Sequence, residues 1–161
     1  MRHHPLTALA LLLLGASAGC HGSGATPRGG EESKQSSASV VELRRLAGTW
    51  EAVAKVYDGL DQPEEGYRLT VRGDAFEVVQ RGKTFIKGTL RVDPSKQPAT
   101  LDFYPTQGDV PGKPLLAVYD LKDDEFRYCY VNPGEPRPGE LTSRRGSERT
   151  LVTLRRAKPK Q

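Results

Sequence analysis

The chain has 161 residues, enough for one globular domain with appended segments; hydrophobic residues make up only 36%, while 17 glycines and 12 prolines are scattered along its length, which favours short strands and turns over long helices. The formal net charge of +4 is mild and its basic residues alternate with acidic ones, unlike the clustered lysine, arginine and aromatic platforms of a nucleic-acid binder. Two cysteines in unlike contexts, Cys20 and Cys129, offer neither a disulfide framework nor a zinc site.

The chain opens on a short basic stretch, Met1-Arg2-His3-His4, followed by an apolar run over residues 6–14. That run is too short to span a bilayer, which takes about 20 residues. With the small residues Gly15-Ala16-Ser17-Ala18-Gly19 behind it, residues 1–19 read as a cleavable export signal. Ala16-Ser17-Ala18 has the form cut by ordinary signal peptidase. Ser17-Ala18-Gly19-Cys20 is similar to a bacterial lipobox, with Ser17 where leucine is usual, and we read Cys20 as lipidated; the alternative is a secreted or periplasmic protein with an unmodified cysteine near its mature start. Two acyl chains anchor stably where one holds marginally, each buried CH₂ contributing about 0.8 kcal/mol. The reading is therefore a lipoprotein of the cell envelope, partnered with a membrane through its anchor.

Residues 20–38 read as a disordered tether, because HGSGATPRGGEESKQSS has no large apolar side chain to bury. A Gly/Ser-rich coil of roughly 17 residues reaches about 20–25 Å on average.

A folded domain is expected over residues 39–158. Ser39 and Glu42 have capping-box spacing, Leu43, Leu46 and Ala47 extend an apolar stripe, and Gly48 can end it, so the spacing predicts one short helix over 40–46. The period then changes to two. Trp50, Ala52, Ala54 and Val56 alternate with Glu51, Val53 and Lys55; further alternations run through Tyr67–Val71, Phe76–Val78, Ile86–Val92, Leu101–Phe103, Leu115–Tyr119, Phe126–Tyr130 and Leu151–Leu154. Turn residues such as Asp58-Gly59, Arg81-Gly82 and Asp93-Pro94 separate them. Eight short strands in sequential hairpins predict an all-β fold: an up-and-down barrel or half-barrel preceded by one helix, with a β-sandwich as the alternative.

The run Leu46-Ala47-Gly48-Thr49-Trp50, a helix end followed by Gly-x-Trp, resembles the lipocalin (calycin) family. The resemblance implies that Gly48 and Trp50 close one barrel end and that an arginine after the last strand, Arg155 or Arg156, packs over the indole. A wider pattern is similar to an uncharacterised lipocalin-like (calycin-type) family of planctomycete secreted proteins and lipoproteins. It takes in residues 46–50, Lys87-Gly88-Thr89-Leu90-Arg91-Val92-Asp93-Pro94-Ser95-Lys96, residues 98–102 and 116–121, Pro133-Gly134-Glu135-Pro136-Arg137-Pro138 and residues 151–155. It covers roughly residues 43–156, implies fold and export, and supplies no catalytic residues.

Chemistry is sparse. Once the signal is gone His21, in the tether, is the last histidine, so Ser-His-Asp and Cys-His arrangements are excluded from the domain. No phosphate-loop or dinucleotide glycine signature occurs. Cys129 reads as a buried strand residue, since no histidine stands ready to activate it. Asp58, Asp61, Glu64 and Glu65 read as solvated loop acids rather than a calcium site, and Asp120, Asp123, Asp124 and Glu125 as a solvated hairpin. We therefore assign no catalytic residue, no metal and no cofactor, and expect a protein that is not an enzyme; two carboxylates buried in one pocket would revive that class.

Two readings remain. In the first the barrel interior, lined by Tyr67, Phe76, Phe103, Tyr119, Phe126 and Tyr128, holds a small apolar or amphipathic ligand. In the second the domain is a structural or interaction protein of the envelope, using an outer basic face of Arg68, Arg72, Arg81, Lys83, Lys87 and Arg91 together with the long loop before the last strand, which is expected to cover a barrel end or form a loose flap.

Overall fold

The computed structural model describes residues 36–158; the signal, Cys20 and nearly all of the tether lie outside the described residues. Helix α1 (Ser37–Leu46) is followed by nine strands: β1 (Gly48–Tyr57), β2 (Leu60–Asp61), β3 (Arg68–Arg72), β4 (Ala75–Gln80), β5 (Lys83–Asp93), β6 (Ala99–Gly108), β7 (Leu115–Lys122), β8 (Glu125–Tyr130) and β9 (Thr150–Arg156). β2 is a two-residue spur on β1. The other eight pair antiparallel with their neighbours, and β9 returns to pair with β1, closing an up-and-down barrel rather than a half-barrel or sandwich. Closure leaves no long edge unpaired.

The inward positions form one continuous apolar interior. Aromatic rings run through it in contact: Trp50 to Phe126 (5.6 Å between centroids), Phe126 to Tyr128 (5.4 Å), Tyr128 to Phe103 (5.3 Å) and Phe103 to Phe76 (4.9 Å, edge-on). Each such pair adds roughly 0.5–1.5 kcal/mol beyond burial.

Helix α1 plugs one end. Its N-cap is Ser36, whose Oγ accepts from the Ser39 backbone N–H at 3.2 Å. Ser39, read as the cap from its spacing to Glu42, sits a turn inside and donates instead to the Val92 carbonyl at 2.7 Å, pinning the helix to β5. Glu42, freed from capping, accepts from Tyr119 Oη and from Arg45. Leu43 and Leu46 face the barrel; Val40 and Val41 face out.

The arginine over the indole is Arg156, whose guanidinium lies 4.1 Å from the Trp50 ring. It also donates to the Ala47 and Arg45 carbonyls, both at 2.8 Å, and so caps the helix C-terminus. Arg155 does not fill this place: it stands opposite Glu51 and Glu125 on the outer face, because alternation puts successive strand residues on opposite sides. Gly48 lies directly beneath Arg156, where a Cβ would come within 3.1 Å of its Nη1. Arg156→Ala is expected to cost about 1–3 kcal/mol from the lost stacking and caps, and Arg155→Ala no more than about 0.5 kcal/mol; urea unfolding of the two variants checks this, and the reverse order would reject the assignment.

The loop between β8 and β9 is no loose flap: through Ser143, Glu148 and Arg149 it is tied to Asp58 and Gly59 in the turn between β1 and β2. It packs against the outer side, where Arg137 inserts between β6 and β7, pairing with Asp102 Oδ1 at 2.5 Å and donating to the Ala117 carbonyl at 2.7 Å. Val118 and Cys129 point outward, and beneath this loop they are buried. Cys129 Sγ donates to the Thr142 carbonyl at 3.4 Å, and burial pushes its thiol pKa up, which keeps it in the less reactive protonated form. Among the described residues no helix is long and apolar enough to cross a membrane.

Candidate functional site

The end opposite α1 is unplugged. Its rim is formed by the ends of β1, β4, β6 and β8 and the beginnings of β3, β5, β7 and β9. Two connected spaces lie there. The outer one is an open groove of about 830 Å³ bounded by Gln62, Pro63, Gln80, Arg81, Lys83 and Asp109. The inner one is a throat of about 100 Å³, walled by Tyr67, Phe76, Val78, Ile86, Phe103, Leu115, Tyr128 and Tyr130. Lys55 and Phe85 line both.

Lys55 reaches the interior through a β-bulge. β1 and β9 pair Ala52 with Leu154 and then Ala54 with Thr153, so Val53 is an extra residue without a partner. A bulge reverses the in–out phase of everything beyond it. Ala54 therefore turns out to solvent, while Lys55 stands opposite the buried Val152 and faces in. The simple alternation Trp50-Ala52-Ala54-Val56 is thus correct only as far as Ala52. The Lys55 ammonium lies 5.9 Å from the Tyr67 ring centroid. Among the described residues, Lys55, Arg81 and Lys83 make no ion pair.

Of the six interior residues named from the sequence, all are buried, but they divide between two sites. Tyr67, Phe76, Phe103 and Tyr128 line the throat. Tyr119 and Phe126 pack beneath α1 at the closed end, where Tyr119 Oη donates to Glu42 at 3.2 Å, and they belong to the plug. The tyrosines in the throat are joined: Tyr67 Oη and Tyr128 Oη are 2.5 Å apart.

Burial, above all else, pushes the Tyr67, Tyr119 and Tyr128 phenols up from the ordinary 10; Tyr130 reinforces it at Tyr67, where the hydrogen bond with Tyr128 works the other way, Tyr67 and Tyr130 reinforce it at Tyr128, and the Glu42 carboxylate at Tyr119. These groups hold their protons more tightly folded than unfolded. Their stabilising contribution is therefore complete below pH 10 and is lost as pH climbs above it, by about 1.4 kcal/mol per pH unit for each tyrosine. The tyrosinate absorbance of these residues is expected to rise together with the loss of near-UV circular dichroism in one alkaline transition. Ionisation near pH 10 with the fold intact would contradict it.

The strand-borne basic residues do not form a continuous face. Arg68 pairs with Glu51 at 3.1 Å, Lys87 stands opposite Glu77, and Arg91 stands opposite Asp102 and lies 5.1 Å from the Tyr104 ring. Arg81 and Lys83 belong to the groove at the open end, carried there by the β4–β5 turn. The acids after β1 are dispersed; Asp58 is engaged in accepting from the Glu148 backbone N–H at 2.9 Å. Among the described residues, no three histidine, cysteine or acidic side chains gather as a metal site.

No family model, no curated protein and no solved structure matches this chain.

Proposed function

We propose that this domain is a binding module that takes a small amphipathic molecule at the open end of the barrel. Its apolar part enters the aromatic throat and its polar head meets the basic groove. The observation that carries the reading is the bulge at Val53, which turns a lysine, rather than another apolar residue, into the junction between groove and throat. A barrel needing only a packed interior would have no use for an ammonium there, since burying part of a charge is unfavourable unless a partner offsets it. The throat is far smaller than the roughly 300 Å³ of a typical ligand pocket, so the molecule is held across the mouth instead of swallowed. We further propose that the barrel belongs with the lipocalin-like exported proteins it resembles and works in the envelope, anchored through a lipid on Cys20 and held off the membrane by residues 20–38.

The test is titration of the purified protein with 1-anilinonaphthalene-8-sulfonate, an anionic amphipathic dye. Saturable one-to-one fluorescence enhancement is expected, with affinity about tenfold lower in Lys55→Met, since a hydrogen bond to a charged group contributes about 1.5–3 kcal/mol. Absence of saturable binding, or binding indifferent to Lys55, would reject a site at the mouth.

A further inference from the structure

Resting on that reading, we infer that the molecule held at the mouth is a short-chain monocarboxylate, its carboxylate set between Lys55 and the Tyr67–Tyr128 hydroxyl pair and its hydrocarbon part inside the throat.

Three independent features converge on this class. The first is charge. Lys55 is a cation drawn partly inside the barrel, without a carboxylate partner among the described residues; of the other charged groups around the groove, Arg81 and Lys83 carry the same sign and Asp109 alone the opposite one, so the groove is net positive. A cationic ligand is repelled from this position, and a neutral one leaves the ammonium unanswered.

The second is an unspent donor. Two phenols carry two hydroxyl protons, and one hydrogen bond between the oxygens uses one of them. Among the described residues neither oxygen has a second hydrogen-bond partner, so the accepting tyrosine keeps an O–H without an acceptor. Tyr67 is only 9% exposed and Tyr128 only 2%, and both line the throat. A buried donor left unmade costs about 1–3 kcal/mol, which a ligand oxygen recovers. Burial keeps both phenols protonated, so the donor persists across the physiological range.

The third is size. An apolar cavity of about 150 Å³ accepts benzene, and this throat offers about 100 Å³. The part of the hydrocarbon that enters the throat is therefore no larger than a benzene ring. A long acyl chain has nowhere to run, because Tyr128, Phe126 and Trp50 fill the barrel beyond the throat.

The experiment is an NMR titration of the purified protein with isobutyrate, its neutral isostere isobutyramide, and decanoate, in the wild type, Lys55→Met and Lys55→Arg. Isobutyrate is expected to bind saturably, shifting amides of β1, β3 and β8 at the open end, and at least tenfold more tightly than isobutyramide. Lys55→Arg keeps that preference and Lys55→Met abolishes it, with the spectrum of each variant confirming the fold; should Lys55→Met fail to fold, the acid–amide comparison in the wild type decides. Equal binding of acid and amide, or binding of decanoate alone, overturns the carboxylate or the size assignment while leaving a site at the mouth in place. Failure of all three compounds, together with failure of the anionic dye, overturns both.

Discussion

Trp50→Ala is expected to destabilise the barrel by about 4 kcal/mol and to release helix α1. The side chain is completely buried, and its ring packs on Phe126 at 5.6 Å. Its removal takes away apolar burial and leaves a cavity that the closed sheet cannot collapse to fill. The indole also holds two neighbours in place: Nε1 donates to the Leu46 carbonyl at 2.8 Å, and its face carries the Arg156 guanidinium at 4.1 Å. Both partners belong to the closure of α1, so its amides should exchange faster by a larger factor than those of β7 and β8. Trp50→Phe refills most of the volume yet leaves the Leu46 carbonyl without its donor, and about half the loss is expected. Urea unfolding with hydrogen exchange decides; a loss under about 1 kcal/mol in Trp50→Ala would mean that the plug is held by α1's other contacts.

Gly88→Ala is expected to cost about 3 kcal/mol or more, as much as many large truncations, although it adds a single methyl group. The φ of Gly88 is open to any residue; the obstacle is space. β6 pairs with β5 through Lys87–Gln107 and then Gly88–Pro105, so Thr106 is an extra residue and β6 buckles over Gly88. A Cβ there would lie 2.0 Å from the Tyr104 carbonyl oxygen and 2.9 Å from Pro105 Cα, both backbone atoms that no rotamer change can move. Relief requires β6 to shift, and β6 carries Phe103 of the throat. Ligand affinity at the mouth should therefore fall together with the melting temperature. Gly73→Ala supplies the contrast, since nothing lies near a Cβ at that position and only its positive φ of 63° opposes the change. It should cost less, and a larger loss there than at Gly88 would exclude close backbone approach as the cause.

The long loop illustrates a signal that was present in the sequence but points elsewhere than expected. Leu115-Leu116-Ala117-Val118-Tyr119 is an unbroken apolar run, and Tyr128-Cys129-Tyr130-Val131 is another. A strand wet on one face alternates; a strand covered on both does not. Those two runs mark the stretch of barrel wall that the loop covers, with Val118 and Cys129 beneath it and Arg137 clamped to Asp102.

By itself the sequence determined the all-β class, the eight strands of the barrel, the helix before them, and six of the aromatic side chains that face inward, though not that Tyr130 and Phe85 join the throat. Each of these follows from local periodicity and from the preference of large apolar groups for burial, which act within a few residues. Tertiary structure alone decided the closure of β9 on β1, the bulge that sends Lys55 inward, the choice of Arg156 over Arg155, and the division of six buried aromatics between plug and throat. Two alanines at positions 52 and 54 suit either face of a strand, so nothing local opposes a change of phase between them. What imposes it is register with residues 153 and 154, about a hundred positions away. A one-residue slip costs little where side chains are small and moves every later side chain to the other face, which is why the residue on which the proposed site depends is set by strand pairing rather than by pattern.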